Sequence, residues 1–391
     1  VGWRRHATPG IGRNPFNVTG VASSGIDLKK ESKYAPARAF RFQPVQRARG
    51  EANDVATKPP AHQKLNAVGV RNLHMMHVLE RIASVFNEEN VPVLVLKGAA
   101  LHLLLYSELN ERPMEDLDIL VHPTDLERAG KRLETLGAAS GEPLVREDFC
   151  PRFHYEVEFS LGRIYPVKVD LHVRPFRPLR YSRLVPPDAL WTRAQRVRVG
   201  QATIQVPSIE DMLIHLTAHA AIHGCSQKKW KRDIELWVEA FQNEINWDQL
   251  IETAREWRLS LPVREGFCAV APKVDAGFAG HAIARLSSMR VTWCDRLALW
   301  QSPRDADHPV AHVLVNVLCT PGWRFVMAYL LAVAVPGRRH MRDWYRRRHW
   351  GWFPCAQLLR WLRPGLCCIP ILRRWFENAL SESSARPGEA A

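Results

Sequence analysis

An α+β fold is what the sequence predicts: a small mixed β-sheet flanked by helices and followed by a mainly helical C-terminal region. Three observations lead there. Val91 to Leu96 is an apolar run too short for a helix and suited to a buried strand. Phe153 to Phe159 and Val167 to Val173 alternate apolar and polar residues with the period of two that a half-buried strand requires. Elsewhere apolar residues recur at three- and four-residue spacing, the mark of amphipathic helices.

Residues 1–62 are rich in Arg, Lys, Pro, Gly and Ser, with too few apolar residues to form a face, and are expected to be a disordered basic segment. An arm touching nucleic acid or membrane is one reading, and an extension without a role is the plainer one. No uninterrupted apolar core follows the basic residues of 1–50, so no secretory signal is expected. The first methionine is Met75, so the chain reads as a fragment, a processed form or an extended gene product.

Residues 63–206 are expected to form a catalytic core. In its first helix, from Gln63 to Glu89, Leu65, Val68, Val70, Leu73, Met76, Leu79, Ile82 and Phe86 make a stripe to cover the sheet. The strand at Val91 to Leu96 follows, and Lys97-Gly98 turns it into a second apolar stretch from Ala99 to Tyr106. A polar loop carrying Arg112 and Pro113 closes on Asp116-Leu117-Asp118, which runs into Ile119-Leu120-Val121. Alternation along that strand points Asp116 and Asp118 to one face. Two neighbouring carboxylates raise each other's pKa and oppose folding unless a cation lies between them, and hard oxygen ligands of this kind suit Mg²⁺ or Mn²⁺. A pair of solvated strand-end aspartates is the bland alternative. The upstream glycine turn, which offers backbone N–H groups and a positive helix end to a phosphate, favours a metal-bound nucleoside triphosphate.

Lys97-Gly98, Tyr106, Arg112 and Asp116-x-Asp118 resemble the pattern of an uncharacterised bacterial nucleotidyltransferase family, a distant branch of the DNA polymerase β-like superfamily. The resemblance spans roughly residues 65 to 245 by motif order. It implies a third carboxylate from a later strand, here Asp170 in Pro166 to Val173. The superfamily's Gly-Ser turn is Gly98-Ala99 in this chain, so the serine contact to a phosphate is missing.

A helix is expected after Pro123-Thr124-Asp125, with Leu126, Ala129, Leu133 and Leu136 inward and Gly137 as its stop. The FHYEVEF stretch puts Phe153, Tyr155, Val157 and Phe159 on one side, and the next strand puts Lys168, Asp170 and His172 together. Such a hairpin beside the Asp116 strand brings three carboxylates to one place, with His172 either orienting Asp170 or playing a structural part. Trp191 is expected to anchor the proline- and arginine-rich connection, and Val197 to Val206 to form a short hairpin.

A helical domain over 207–310 is expected to complete the site. It opens on a serine cap, Ser208, and carries His215, His219 and His223 one turn apart. The outer two lie ~12 Å apart along the axis, too far for one ion, so packing and substrate contacts are expected of them. Lys228 to Ile234 follows as a basic cluster in which Lys229 and Lys231 could hold a triphosphate, with Asp233 behind; a solvated helix start explains it equally. The chain closes over 311–391 on an Arg- and Trp-rich helical tail, disordered at its end, in which RRHMRDWYRRRHWGWFP suits anionic lipid better than nucleic acid; a helical pair packed on the catalytic domain is the plainer reading.

The 391 residues carry a formal net charge of +14, which attracts anions without choosing among nucleotide, nucleic acid and acidic lipid. Eight cysteines without a CxxC pair argue for reduced core thiols and a cytoplasmic protein, free or at the inner face of a membrane. The function that the resemblance implies, and that the paired carboxylates suit, is metal-dependent transfer of a nucleoside monophosphate from a nucleoside triphosphate to an unknown small-molecule, sugar or peptide acceptor. Asp116, Asp118 and Asp170 are its catalytic and Mg²⁺- or Mn²⁺-binding residues; Lys97, Gly98, Arg112, Lys229 and Lys231 contact the nucleotide; and His172 and Asp233 stand behind them. Arg112 could instead brace its loop through the carboxylates. The alternative is an inactive nucleotide-binding protein held at a membrane.

Overall fold

The computed structural model describes residues 65–141, 149–271, 276–304 and 309–334. The basic segment expected over 1–62 and the tail beyond 334 lie outside them. The first helix, α1 (Ala67–Glu88), starts at Asn66, whose side chain accepts from the Gly69 N–H. Its inward face is Met75, Met76, Leu79, Ile82 and Phe86. Val70 is 57% exposed, so the buried stripe begins a turn later than the spacing suggested, and the buried polar Asn72 stands in it.

Then come β1 (Leu94–Val95), α2 (Lys97–Leu104), β2 (Asp116–Leu120), α3 (Leu126–Thr135), β3 (Ala138–Ser140), α4 (Phe149–Phe153), β4 (Glu156–Leu161), β5 (Val167–His172), α5 (Leu179–Leu184), α6 (Ala189–Thr192), β6 (Gln195–Val199) and β7 (Ala202–Val206). The strands make one seven-stranded mixed sheet in the order β3-β4-β5-β2-β1-β7-β6. In β1 only two of the six apolar residues pair in the ladder. They run antiparallel to β2 (Leu94 opposite Leu120) and parallel to β7. Gly137 ends α3 at φ +89°, a left-handed position that glycine adopts without a side-chain clash.

Two local expectations fail. Phe153 belongs to a short helix rather than to the strand, because Phe149 and Phe153 turn inward to pack on Tyr329, with ring centroids 6.3 and 5.7 Å away. The strand therefore starts at Glu156, and only Phe159 and Leu161 of it are buried. The edge strand β3 was not expected at all, since Ala138–Ser140 is too short to show a period.

Beyond the sheet the described chain is helical: α7 (Ile209–Ile222), α8 (Lys228–Phe241), α9 (Trp247–Glu256), α10 (Ser260–Cys268), α11 (Ala276–Ser287), α12 (Trp293–Gln301), α13 (Pro309–Cys319) and α14 (Trp323–Ala334). The Ser208 side chain caps α7 by accepting from the Asp211 N–H. One core runs from α1 through the sheet into α7, α9 and α10, and a smaller one joins α4 and α5 to α14. Among the described residues no helix is long and apolar enough to cross a membrane, and the five described cysteines are all free.

Candidate active site

The floor of the site follows from one register. Strands β2 and β5 run parallel, with Asp116 opposite Lys168, Asp118 opposite Asp170 and Leu120 opposite His172. Leu117 and Ile119 face the core, so the aspartates emerge together on the other face. Asp116, Asp118 and Asp170 all line one cleft of about 220 Å³. The cleft also receives Lys97, Gly98, Arg112, Lys168, His219 and Lys229.

Asp118 is the best supported of the three acids. Its Oδ1 lies 2.6 Å from Lys97 Nζ and 2.9 Å from His172 Nε2, and its side chain is only 1% exposed. Burial pushes its pKa up, but Lys97 and His172 outweigh burial and hold it far below the usual carboxylate range. For Lys97 burial alone would lower the pKa, and Asp118 reverses that. Lys97 was expected to meet a phosphate tail; it is bonded to Asp118 instead. The Leu96 N–H donates to the Asp118 backbone carbonyl at 3.0 Å, which fixes the turn above the strand.

Asp116 and Asp170 are less settled. Burial and the Asp118 charge raise the Asp116 pKa. Burial and the Glu156 carboxylate push Asp170 up to about 6, against the pull of Lys168. Lys168 Nζ sits 3.1 Å from Asp170 Oδ2, while Asp170 Oδ1 is buried without a hydrogen-bond partner. His172 lies against Asp118 and also approaches Glu156 Oε2 at 3.4 Å, so it serves Asp118 rather than Asp170.

The glycine turn lines the cleft and is packed closely against Arg112. A Cβ on Gly98 would stand 2.7 Å from Arg112 Nη1. The Arg112 fork is turned onto Asp233, with Nε 2.8 Å from Oδ1 and Nη2 2.9 Å from Oδ2, and the Tyr106 hydroxyl donates to the same carboxylate at 2.7 Å. Arg112 therefore braces its loop, but through Asp233 rather than through Asp116 or Asp118, and its charge is matched within the chain. The buried Asn72 completes the brace: its amide donates to the Leu109 and Arg112 carbonyls, each at 2.7 Å, and its oxygen accepts from the Met114 N–H. Nothing in the sequence pattern links Asn72 to this loop.

One wall of the cleft is aromatic. His215, His219 and His223 climb α7 with ring centroids 6.1 and 4.5 Å apart, and Trp230 meets His219 edge-on at 5.0 Å. Burial and the Lys97 charge push the His215 pKa down to about 3 and that of His219 well below its ordinary value. His219 and His223 reach the cleft, whereas His215 packs on Phe176. Lys229 also lines the cleft and is bonded to Glu115 at 2.7 Å. Lys231, about 200° further round the helix at ~100° per residue, does not line it. Lys168 and Glu156 sit on strand faces that alternation had grouped correctly, yet charge type alone did not single them out.

A divalent cation fits this floor. Asp118, Asp170 and His172 each offer one ligand atom, all within 4.8 Å of one another. The orphaned Asp170 Oδ1 costs about 1–3 kcal/mol as an unsatisfied buried group, a penalty that ligation removes. The compact trio differs from the expected Asp116, Asp118 and Asp170 because the register pairs Asp116 with Lys168 and leaves it at the rim.

Residues 48–271 match the sequence profile of a family described as uncharacterised nucleotidyltransferase. No curated protein sequence matches the chain. Solved structures are similar over about half of this chain, three of them as follows. The first is the crystal structure of ANT(2")-Ia in complex with adenylyl-2"-tobramycin, 14% identical, covering 47% of this chain and 97% of that one, with a TM-score of 0.35. The second is the solution structure of the antibiotic-resistance factor ANT(2'')-Ia, at 12% identity, 48% and 92% coverage and the same TM-score of 0.35. The third is an antigenic nucleotidyltransferase-like protein from Paracoccidioides brasiliensis, at 16% identity, 53% and 96% coverage and a TM-score of 0.33. Likenesses this loose carry no argument about the site.

Proposed function

The chain belongs to the uncharacterised nucleotidyltransferase family, and from that premise we propose that it transfers a nucleoside monophosphate from a nucleoside triphosphate to an acceptor hydroxyl, releasing pyrophosphate. The observation that carries this reading is the parallel register that sets Asp118 beside Asp170, next to a turn that opens a helix. Asp118, Asp170 and His172, with Asp116 beside them, would hold Mg²⁺ or Mn²⁺, which supplies charge neutralisation at the triphosphate when bound. Motif order supports a distant place in the DNA polymerase β-like superfamily.

The chain's own groups then divide the work. The acceptor oxygen attacks the α-phosphorus, a new O–P bond forms, and the bond to the β-phosphate bridging oxygen breaks. Asp170 would ligate the metal near the attacking oxygen, or take the acceptor's proton. Lys229, at the cleft mouth, offsets charge on the departing pyrophosphate once it leaves Glu115. His219, His223 and Trp230 form a face on which a planar base stacks. Gly98 serves this site indirectly by leaving room for the Arg112 brace.

One observation favours a second reading, a nucleotide-binding protein without turnover: the turn lacks the serine and Lys97 already occupies Asp118. Purified protein incubated with Mg²⁺ and each labelled triphosphate, plus a metabolite extract as acceptor source, separates the two. Metal-dependent pyrophosphate release supports transfer. Nucleotide binding without release supports the second reading.

A further inference from the structure

The cation that neutralises Asp118 in this structure is part of the chain, and three features set its bond apart from an ordinary structural ion pair. It is a single-point contact: one ammonium on Oδ1, shared with His172 Nε2, while Arg112 engages both oxygens of Asp233. Its backbone is strained, since Lys97 sits at φ +46°, a region that costs an L residue roughly 1–2 kcal/mol. It also leaves the floor incomplete, because Asp170 Oδ1 stays without a partner. An ammonium on a flexible stem is a point charge that can be moved, unlike a planar fork locked at two oxygens. A divalent ion takes six or more oxygen ligands and could satisfy the whole floor at once.

We infer that Lys97 is a built-in stand-in for the divalent cation: it keeps Asp118 charged and in place while the cleft is empty, then yields that carboxylate to the incoming ion and swings to the triphosphate. This rests on the nucleotidyltransferase reading and adds to it an internal competitor for the metal. The ammonium on Oδ1 repels an incoming dication and already neutralises the carboxylate that would hold it, so the protein without nucleotide is expected to bind metal weakly.

The test uses Mn²⁺ alone, without nucleotide, on the full chain. Free Mn²⁺ is measured by electron paramagnetic resonance for wild type and for Lys97→Met, which keeps the length of the stem and removes the charge. The inference expects Mn²⁺ to bind Lys97→Met at least tenfold more tightly than wild type, with nucleotide affinity at saturating metal falling. Equal or weaker Mn²⁺ binding by a folded Lys97→Met overturns it. If that variant does not fold, wild type decides the matter. The acylation rate of the Lys97 amine, read by mass spectrometry, should rise several-fold on adding Mn²⁺, and an unchanged rate overturns the inference. Equal Mn²⁺ binding by both proteins removes this inference alone. No Mn²⁺ binding by either, together with no pyrophosphate release, removes the nucleotidyltransferase reading as well.

Discussion

Arg112 and Lys97 each give a positive charge to a buried aspartate, yet the two pairs are built differently. The Arg112–Asp233 pair has a bidentate fork, a third donor from Tyr106 and a loop tied down by Asn72. The Lys97–Asp118 pair has one short contact and a left-handed backbone. Breaking a buried pair by removing one partner leaves an uncompensated charge, whatever the pair's net worth. The first pair therefore acts as framework for the loop that leads into β2. The second leaves a carboxylate that can change partners.

The largest expected effect tests the framework half. Asp233→Ala strands the Arg112 guanidinium and should lower stability by about 3–5 kcal/mol in urea unfolding; a loss under 1 kcal/mol would mean that the pair does not organise the loop. Gly98→Ala comes next. Its methyl group would press on an Arg112 that cannot retreat, so a cost of about 1–3 kcal/mol is expected. Combining it with Asp233→Ala should give less than the sum, because the fork is then free to move.

His215 on α7 sharpens the contrast, because it is a fully buried ionisable group with no hydrogen bond to compensate a charge. Both nitrogens of His215 lack hydrogen bonds. Its folded pKa is pushed down to about 3 from the ordinary 6.5, so below pH 6.5 the unfolded chain takes up a proton that the folded chain refuses. Stability should fall on acidification from 6.5 towards 3, by up to about 1.4 kcal/mol per pH unit for this group. His215→Leu should flatten that slope and stabilise the protein more at pH 5 than at pH 7.5. Parallel acid limbs for the two proteins would show that His215 is not the group responsible. The smallest effect is expected at Lys229, whose bond goes to the largely exposed Glu115. Lys229→Ala should change stability by less than about 1 kcal/mol while raising KM for the triphosphate a few-fold.

The same contrast explains how much of the site was legible beforehand. Alternation with a period of two groups Asp116 with Asp118 and Lys168 with Asp170 and His172, so both faces of the floor could be read from local sequence. That Asp118 stands opposite Asp170 is a pairing across 52 positions of chain, which no local pattern encodes. The Arg112–Asp233 bond, 121 residues apart, was out of reach for the same reason, and with it the true partner of Arg112. Phe153 was misread because its alternation is real but its neighbours are not strands: α14 offers its ring a better place. Lys97 was visible as a cation near phosphate chemistry, but the carboxylate that holds it, Asp118, lies 21 residues on, across the β1–β2 pairing.

The most direct measurement is pyrophosphate release with Mg²⁺ and each nucleoside triphosphate, comparing wild type with Asp118→Asn and Asp170→Asn at matched circular dichroism. The account predicts release by wild type that chelation of the metal stops, and a loss of about 10³-fold or more in either folded variant. Release that survives in Asp118→Asn, or that proceeds unchanged without divalent metal, would contradict it.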